Sequence, residues 1–256
     1  MIMQKIFFFD IDGTLAIHGV IPESNLKALQ LLKERGYYTF ICTGRSPFYA
    51  QNLFANLVDG LITCNGRYIL YHHQKLHGEA FSKEELYDYQ EKIKKLEAGA
   101  MFVSDNVAVP YLLDEKQIQE IQKEYGKQHI QLLPKDLSFY TFDLFYDSLS
   151  KRDELIEAFQ KELVINDHGG HGSCDCSTIG FDKGDGIAYL LNHFHIDKAD
   201  AYAFGDGYND QAMFREVGHA IAMGNAVEEL KQKATYITDS IDCDGIMKAL
   251  IHEGIA

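Results

Sequence analysis

The segment FFFDIDGTL, residues 7–15, runs an apolar strand straight into two aspartates. Ile6 to Phe9 form an unbroken apolar run. Such a run predicts a parallel strand covered on both faces, because a half-exposed strand would alternate. Asp10 and Asp12 are two residues apart, so in extended geometry their carboxylates point the same way, at the carboxyl end of the strand. Open α/β sheets bind ligands at that end. Two like charges this close repel, and are tolerated when a cation neutralises them or one holds a proton. Gly13 follows and permits a sharp turn. On this spacing alone, a strand end with a solvated Asp-Gly turn fits as well.

Three further segments answer the first. Tyr38 to Cys42 read as a second apolar strand ending in Thr43-Gly44-Arg45. Lys183 stands in FDKGDGI, just before the helical run Ile187 to Phe194. Ala201 to Phe204 read as another strand, ending in Gly205-Asp206-Gly207-Tyr208-Asn209-Asp210. In order, DIDGTL, TGR, KGDGI and GDGYND resemble the four motifs of the haloacid dehalogenase (HAD) superfamily. TCNGR (63–67) resembles its T-x-N-G segment, and AIAMGNAVEELKQKATYIT (220–238) its usual C-terminal stretch. The long interval between TGR and Lys183 exceeds what one βαβ crossover requires. It resembles the insertion of the α/β-capped, Cof-like branch, as does DCSTIGFDKG (175–184), with Asp175 at the acidic position of that branch's pattern. Arg67 departs from the pattern, since relatives carry a small residue there, and so does the stretch His168-Gly-Gly-His171-Gly-Ser-Cys174.

The resemblance implies an α/β fold: a doubly wound, Rossmann-like core of residues 1–80 and 184–256, with an α+β cap inserted over 81–183. It also implies Mg²⁺-dependent hydrolysis of a small phosphorylated metabolite, foremost a sugar phosphate, through an aspartyl-phosphate. Asp10 is then the nucleophile and Asp12 the acid that protonates the leaving alkoxide and later activates water. The metal falls to Asp10, the Asp12 carbonyl and Asp206, with Asp210 and Asn209 supporting it from the next turn; hard oxygen ligands suit Mg²⁺. Thr43, Gly44, Asn65 and Lys183 face the phosphoryl group. Arg45 either touches substrate or braces the cap. Two alternatives stay open: a phosphomutase or phosphotransferase using the same aspartate, and a phosphometabolite-binding protein without turnover.

Composition sets outer limits. The chain has 256 residues and a formal net charge of −14. That balance argues against nucleic acid or an acidic membrane as partner, since both need a basic face. A phosphate ester is not excluded, because a divalent ion and one or two Lys or Arg set the local potential. No apolar run approaches a membrane span, and the run before Asp10 is too short for a signal peptide. Five scattered cysteines suit reduced thiols and a cytoplasmic location.

The remaining elements follow from periodicity. The pattern predicts helices near 22–35 and 46–57 and a strand at 61–64. Within the insert it predicts helices from Ser82 to about Glu97, from Asp114 to Tyr125 and over 151–161. Insert strands are predicted at 101–104, 129–133, 139–146, 163–166 and 173–179. Alternation over 139–146 points one face of that strand toward helices. The two chain crossings, Tyr71–Phe81 and Ser177–Lys183, are natural hinges, with Gly78 and Gly180 able to absorb a dihedral change. Cys174 and Cys176 fall on one face of a strand and read as packed small hydrophobes rather than zinc ligands, leaving Asp175 on the opposite face, where with the Gly-rich His168–His171 tip it is expected to reach over the crevice and help choose the substrate.

Overall fold

A computed structural model describes residues 4–132, 136–167 and 172–256. The chain opens with β1 (Ile6–Phe9), α1 (Glu23–Glu34), β2 (Tyr38–Cys42), α2 (Pro47–Phe54), β3 (Gly60–Thr63), β4 (Tyr68–Tyr71) and β5 (Gln74–Gly78). The insert contributes α3 (Lys83–Lys95), β6 (Gly99–Val103), β7 (Ala108–Tyr111), α4 (Glu115–Tyr125), β8 (Thr141–Phe145), α5 (Leu149–Phe159), β9 (Leu163–Asp167) and β10 (Ser173–Thr178). The chain then returns through α6 (Lys183–Phe194), β11 (Ala201–Gly205), α7 (Gln211–Glu216), β12 (His219–Ala222), α8 (Glu228–Lys231), β13 (Tyr236–Ile237) and α9 (Gly245–His252).

Eight strands form the larger sheet in the order β13-β12-β11-β1-β2-β3-β4-β5. The six from β13 to β3 are parallel, and β1 lies between β11 and β2. Strand order reverses there, which opens the crevice that α/β sheets use for ligands. The continuous apolar run of β1 has its physical explanation here. Phe7 and Phe9 belong to the core on one face, Ile6 and Phe8 to the core on the other. Phe7 stacks on Tyr202 at 4.5 Å and Phe9 on Phe204 at 4.9 Å, locking β1 to β11.

The hairpin β4–β5 extends this sheet antiparallel to β3, and the sequence pattern does not predict it. Its turn is His72-His73, both at positive φ (47° and 63°). Tight hairpins need that backbone and normally advertise it with Asn-Gly or Asp-Gly, so two histidines gave no signal.

The insert folds as a five-stranded antiparallel sheet, β7-β6-β8-β10-β9. One face carries α3 and α5 over Phe102, Phe142, Leu144, Cys174 and Cys176. The predicted strand at 129–133 does not form among the described residues: 127–129 make a 3₁₀ turn, and Ile130 adds a single bridge to Ala108. Capping boxes at Ser82–Glu85 and Asp114–Gln117 open α3 and α4 at the predicted positions. Among the described residues no helix is long and apolar enough to cross a membrane.

Both chain crossings meet at Arg67, which is only 5% exposed. Its guanidinium lies 4.8 Å from the Phe81 ring in the outgoing crossing and 4.0 Å from Phe181 in the return. It donates to the Glu79 carbonyl at 3.0 Å and to Thr178 Oγ1 at 3.1 Å. The residue that departs from the family pattern thus ties the two linkers together.

Candidate active site

Each reactive group is delivered by a strand end or a helix start. Asp10 follows β1, and its N–H continues the ladder to Phe204 O at 3.1 Å. Asp206 follows β11, the neighbouring strand. Lys183 opens α6, 1% exposed, and donates to Asp10 Oδ1 at 2.5 Å and to Asp210 Oδ1 at 2.7 Å. The other Asp210 oxygen accepts from the N–H groups of Asp206 and Gly207, both at 2.9 Å. Asp210 therefore spends both oxygens on holding Lys183 and the Asp206 loop. Thr14 Oγ1 donates to Asp206 Oδ1 at 2.8 Å, and Asn225 donates to Gly13 O at 2.8 Å, so the Asp10–Thr14 loop is pinned to the loops after β11 and β12. Gly13, at φ 84°, passes so close to Asp206 that a Cβ would overlap its carboxylate.

Burial and neighbouring carboxylates make the acids here weaker, raising their pKa values. Asp10 is pushed up to about 7, first by burial and then by Asp210, against the opposing pull of Lys183. Asp206 is pushed up to about 6, again chiefly by burial. Lys183 moves upward in turn: burial disfavours its charge, but Asp10 and Asp210 outweigh that cost. Carboxylate oxygens of Asp10, Asp206 and Asp210 lie within 4.8 Å of one another. Three acids sharing one lysine leave excess negative charge, and the donors are all hard oxygens. That set fits a small divalent cation such as Mg²⁺.

Between this floor and the insert lies a cavity of about 680 Å³. Asp10, Asp12, Thr43, Gly44, Arg45, Asp206 and Asn209 line its core side, and Asp175 its cap side, where sequence reasoning expects them. Arg45 donates from Nε to Asp12 Oδ2 at 2.8 Å, a partner that its sequence position did not indicate. Asn65, expected against the phosphoryl group, sits behind Gly44 and off the cavity wall. Its Nδ2 donates to Ser177 Oγ at 2.6 Å, linking core to cap. Cap residues that sequence reasoning did not single out complete the wall: Met101, Val103, Glu124, Tyr125, Asp143 and Phe145. Alternation along 139–146 did hold a signal, since Asp143 lies directly across from Asp175 on β10 and both face away from the cap's own core. Cys174 and Cys176 pack into that core, and Ser173 to Thr178 form a strand as expected. His168 and His171 lie outside the described residues.

A doubly wound core with paired strand-end aspartates, a buried lysine and an inserted antiparallel cap defines a capped phosphoryl-transfer hydrolase. The chain belongs to the haloacid dehalogenase-like hydrolases, whose family model matches residues 7–250. It is similar to YkrA of Bacillus subtilis (strain 168), with 30% identity over 258 residues covering 98% of each chain. It is also similar to 5-amino-6-(5-phospho-D-ribitylamino)uracil phosphatase YwtE of the same organism, with 27% identity covering 95% of this chain and 96% of that one. Among solved structures, the HAD subclass IIB sugar phosphatase BT4131 superposes with a TM-score of 0.79 at 29% identity, covering 99% of this chain and 100% of that one. The chain is a HAD-type phosphatase of the Cof-like, cap-bearing kind.

Proposed function

We propose that this chain is a Mg²⁺-dependent phosphomonoesterase acting in the cytoplasm on a small phosphorylated metabolite, foremost a sugar phosphate. Residues 1–80 and 184–256 act as the catalytic core and 81–183 as the cap. The observation that carries the reading is Asp10: a carboxylate at a strand end, on a cavity floor, with a buried lysine 2.5 Å away and two further carboxylates beside it. The sugar-phosphate preference draws on the sugar phosphatase among the similar structures and on a cap wall that mixes acidic, hydroxyl and apolar groups.

In this mechanism an Asp10 oxygen attacks phosphorus, and Asp12 protonates the departing oxygen, giving an alcohol and a phosphorylated Asp10. Asp12, now a carboxylate, takes a proton from the water that attacks the phosphorylated aspartate. Thr43 and the Gly44 backbone meet the phosphoryl oxygens, and Lys183 balances charge on Asp10 and the transferring group. A Mg²⁺ ion would be held by Asp10, the Asp12 carbonyl and Asp206, and would supply charge neutralisation for the phosphoryl oxygens. Asp210 keeps Asp206 and Lys183 in place.

Phosphate release from a panel of phosphorylated metabolites, measured with Mg²⁺ and with EDTA, tests this reading. Metal-dependent release from sugar phosphates supports it. Transfer to a second sugar without free phosphate would indicate a mutase or phosphotransferase, and binding without release a non-catalytic protein.

A further inference from the structure

A short run of rings and one guanidinium links the cap to the acid–base aspartate. α2 starts immediately after the Thr43–Ser46 loop, and its first turn presents Phe48 and Tyr49. From the cap, Tyr125 at the end of α4 sets its ring edgewise on Phe48 at 6.0 Å and on Tyr49 at 6.2 Å. His129 stacks on Phe48 at 4.7 Å and meets Asn52 at 3.2 Å. On the core side, the Arg45 guanidinium lies over the Tyr49 ring at 4.4 Å, and its Nε donates to Asp12 Oδ2 at 2.8 Å.

The Arg45–Asp12 pair is partly exposed, at 34% and 49% for the two side chains. Ion pairs at such exposure hold poorly by themselves, because a long side chain keeps most of its rotamers. A ring face under the guanidinium removes that freedom. We propose that Tyr49 is a positioning residue: it holds Arg45 on Asp12, and Tyr125 of the cap holds Tyr49, so acid–base geometry is complete only when the cap is seated on α2. The inference rests on the phosphatase reading above.

The chemistry makes the effect specific to one step. When the Asp10 oxygen bonds to phosphorus, the ester P–O bond breaks and its electron pair stays on the leaving oxygen. Asp12 enters this half-reaction protonated, with the proton on the oxygen that Arg45 does not hold; the proton moves to the leaving oxygen, and the negative charge that forms on Asp12 faces Arg45. In the second half-reaction water attacks phosphorus, its proton returns to Asp12, and the bond to Asp10 breaks to free phosphate. Loss of the Tyr49 face therefore penalises esters whose leaving oxygen needs the proton and spares those that depart as a stable anion.

The test compares p-nitrobenzyl phosphate, an alkyl ester, with p-nitrophenyl phosphate, an aryl ester of nearly the same shape. The readout is kcat/KM, which reports the half-reaction in which the leaving group departs. General acid catalysis contributes roughly 10²–10⁴-fold. We therefore expect Tyr49→Ala to lower the alkyl-to-aryl ratio about tenfold, Tyr125→Ala to lower it less, and Tyr49→Phe to preserve it. Equal losses on both esters, or a ratio unmoved in both alanine variants, would overturn the inference, since a merely structural role scales the two rates together. The pair of alanine variants keeps the test intact if one of them melts. A wild-type protein inactive on every ester overturns the phosphatase reading itself; an active one with an unmoved ratio overturns this inference alone.

Discussion

The two ends of the cavity are built differently. At the core end, Asp10, Thr43 and Asp206 each leave the carboxyl end of a parallel strand within a residue or so, and Lys183 and Asp210 sit beneath them fully enclosed. The carboxylates there are held by Lys183 at the start of α6 and by Thr14 in the loop after β1. At the cap end, Asp143 and Asp175 are paired across β8 and β10, with Met101 opposite Asp143 on β6. Glu124 and Tyr125 arrive from a helix. The core end presents one rigid arrangement for phosphorus; the cap end presents a wall whose side chains can vary without disturbing the sheet. The core end is therefore built from strand-end loops tied to one another, and the cap end from side chains projecting out of regular strands and a helix.

The largest expected effect breaks the core end. Asp10→Asn should lower turnover by more than about 10³-fold, because an amide cannot form the phosphoryl adduct, while the melting temperature without metal stays level or rises as charge repulsion is relieved. Rates measured alongside thermal melting check this. Activity within tenfold of the unmodified protein would remove Asp10 from the nucleophile role.

Metal exchange comes next. Activity should vanish in EDTA, return with Mg²⁺, and stay low with Ca²⁺, whose longer bonds and higher coordination misplace the nucleophile. Equal rates with the two ions would contradict the core end as a compact oxygen site.

The third prediction uses acidity. Without metal, Asp10 and Asp206 carry native values of about 7 and about 6, above the 3.8 of an unperturbed aspartate. Between those limits the folded state holds more protons than the unfolded one, so stability without metal falls as pH rises from about 4 to about 7. A divalent ion binds the deprotonated pair. The rise in melting temperature on adding Mg²⁺ should therefore be larger at pH 8 than at pH 5.5, and an equal rise at both would show that the carboxylates do not compete with protons for the ion.

The smallest effect probes the join between the two ends. Arg67→Ala removes two hydrogen bonds and both ring contacts, which should cost about 1–3 kcal/mol. It should also raise amide exchange in residues 78–82 and 178–182. Unchanged exchange there would mean the linkers hold without the clamp.

How much of this was legible beforehand depends on distance along the chain. Asp10 and Asp12 are adjacent to the strand that carries them, so an apolar run followed by acids reveals both the sheet and its reactive end. Asp143 was visible as one member of an alternating strand, but its pairing with Asp175 needed a register that alternation does not specify. Asn65 was legible as a motif and not as a contact: it lies one layer behind the loop it was expected to serve. The His72-His73 turn carried no recognisable turn chemistry, so the β4–β5 hairpin stayed hidden.

The sequence by itself determined the fold class and the phosphatase family, because the motifs that mark them are local: each is a strand end or helix start whose side chains are placed by a few dihedrals. Only the tertiary structure decided which residues meet across the cavity. Asp12, Arg45, Tyr49 and Tyr125 come from the β1 loop, the β2 loop, α2 and α4, and Arg67 meets Phe81 and Phe181 from two separate crossings. Contacts of that range depend on how cap and core are set against each other, and no local pattern encodes that geometry.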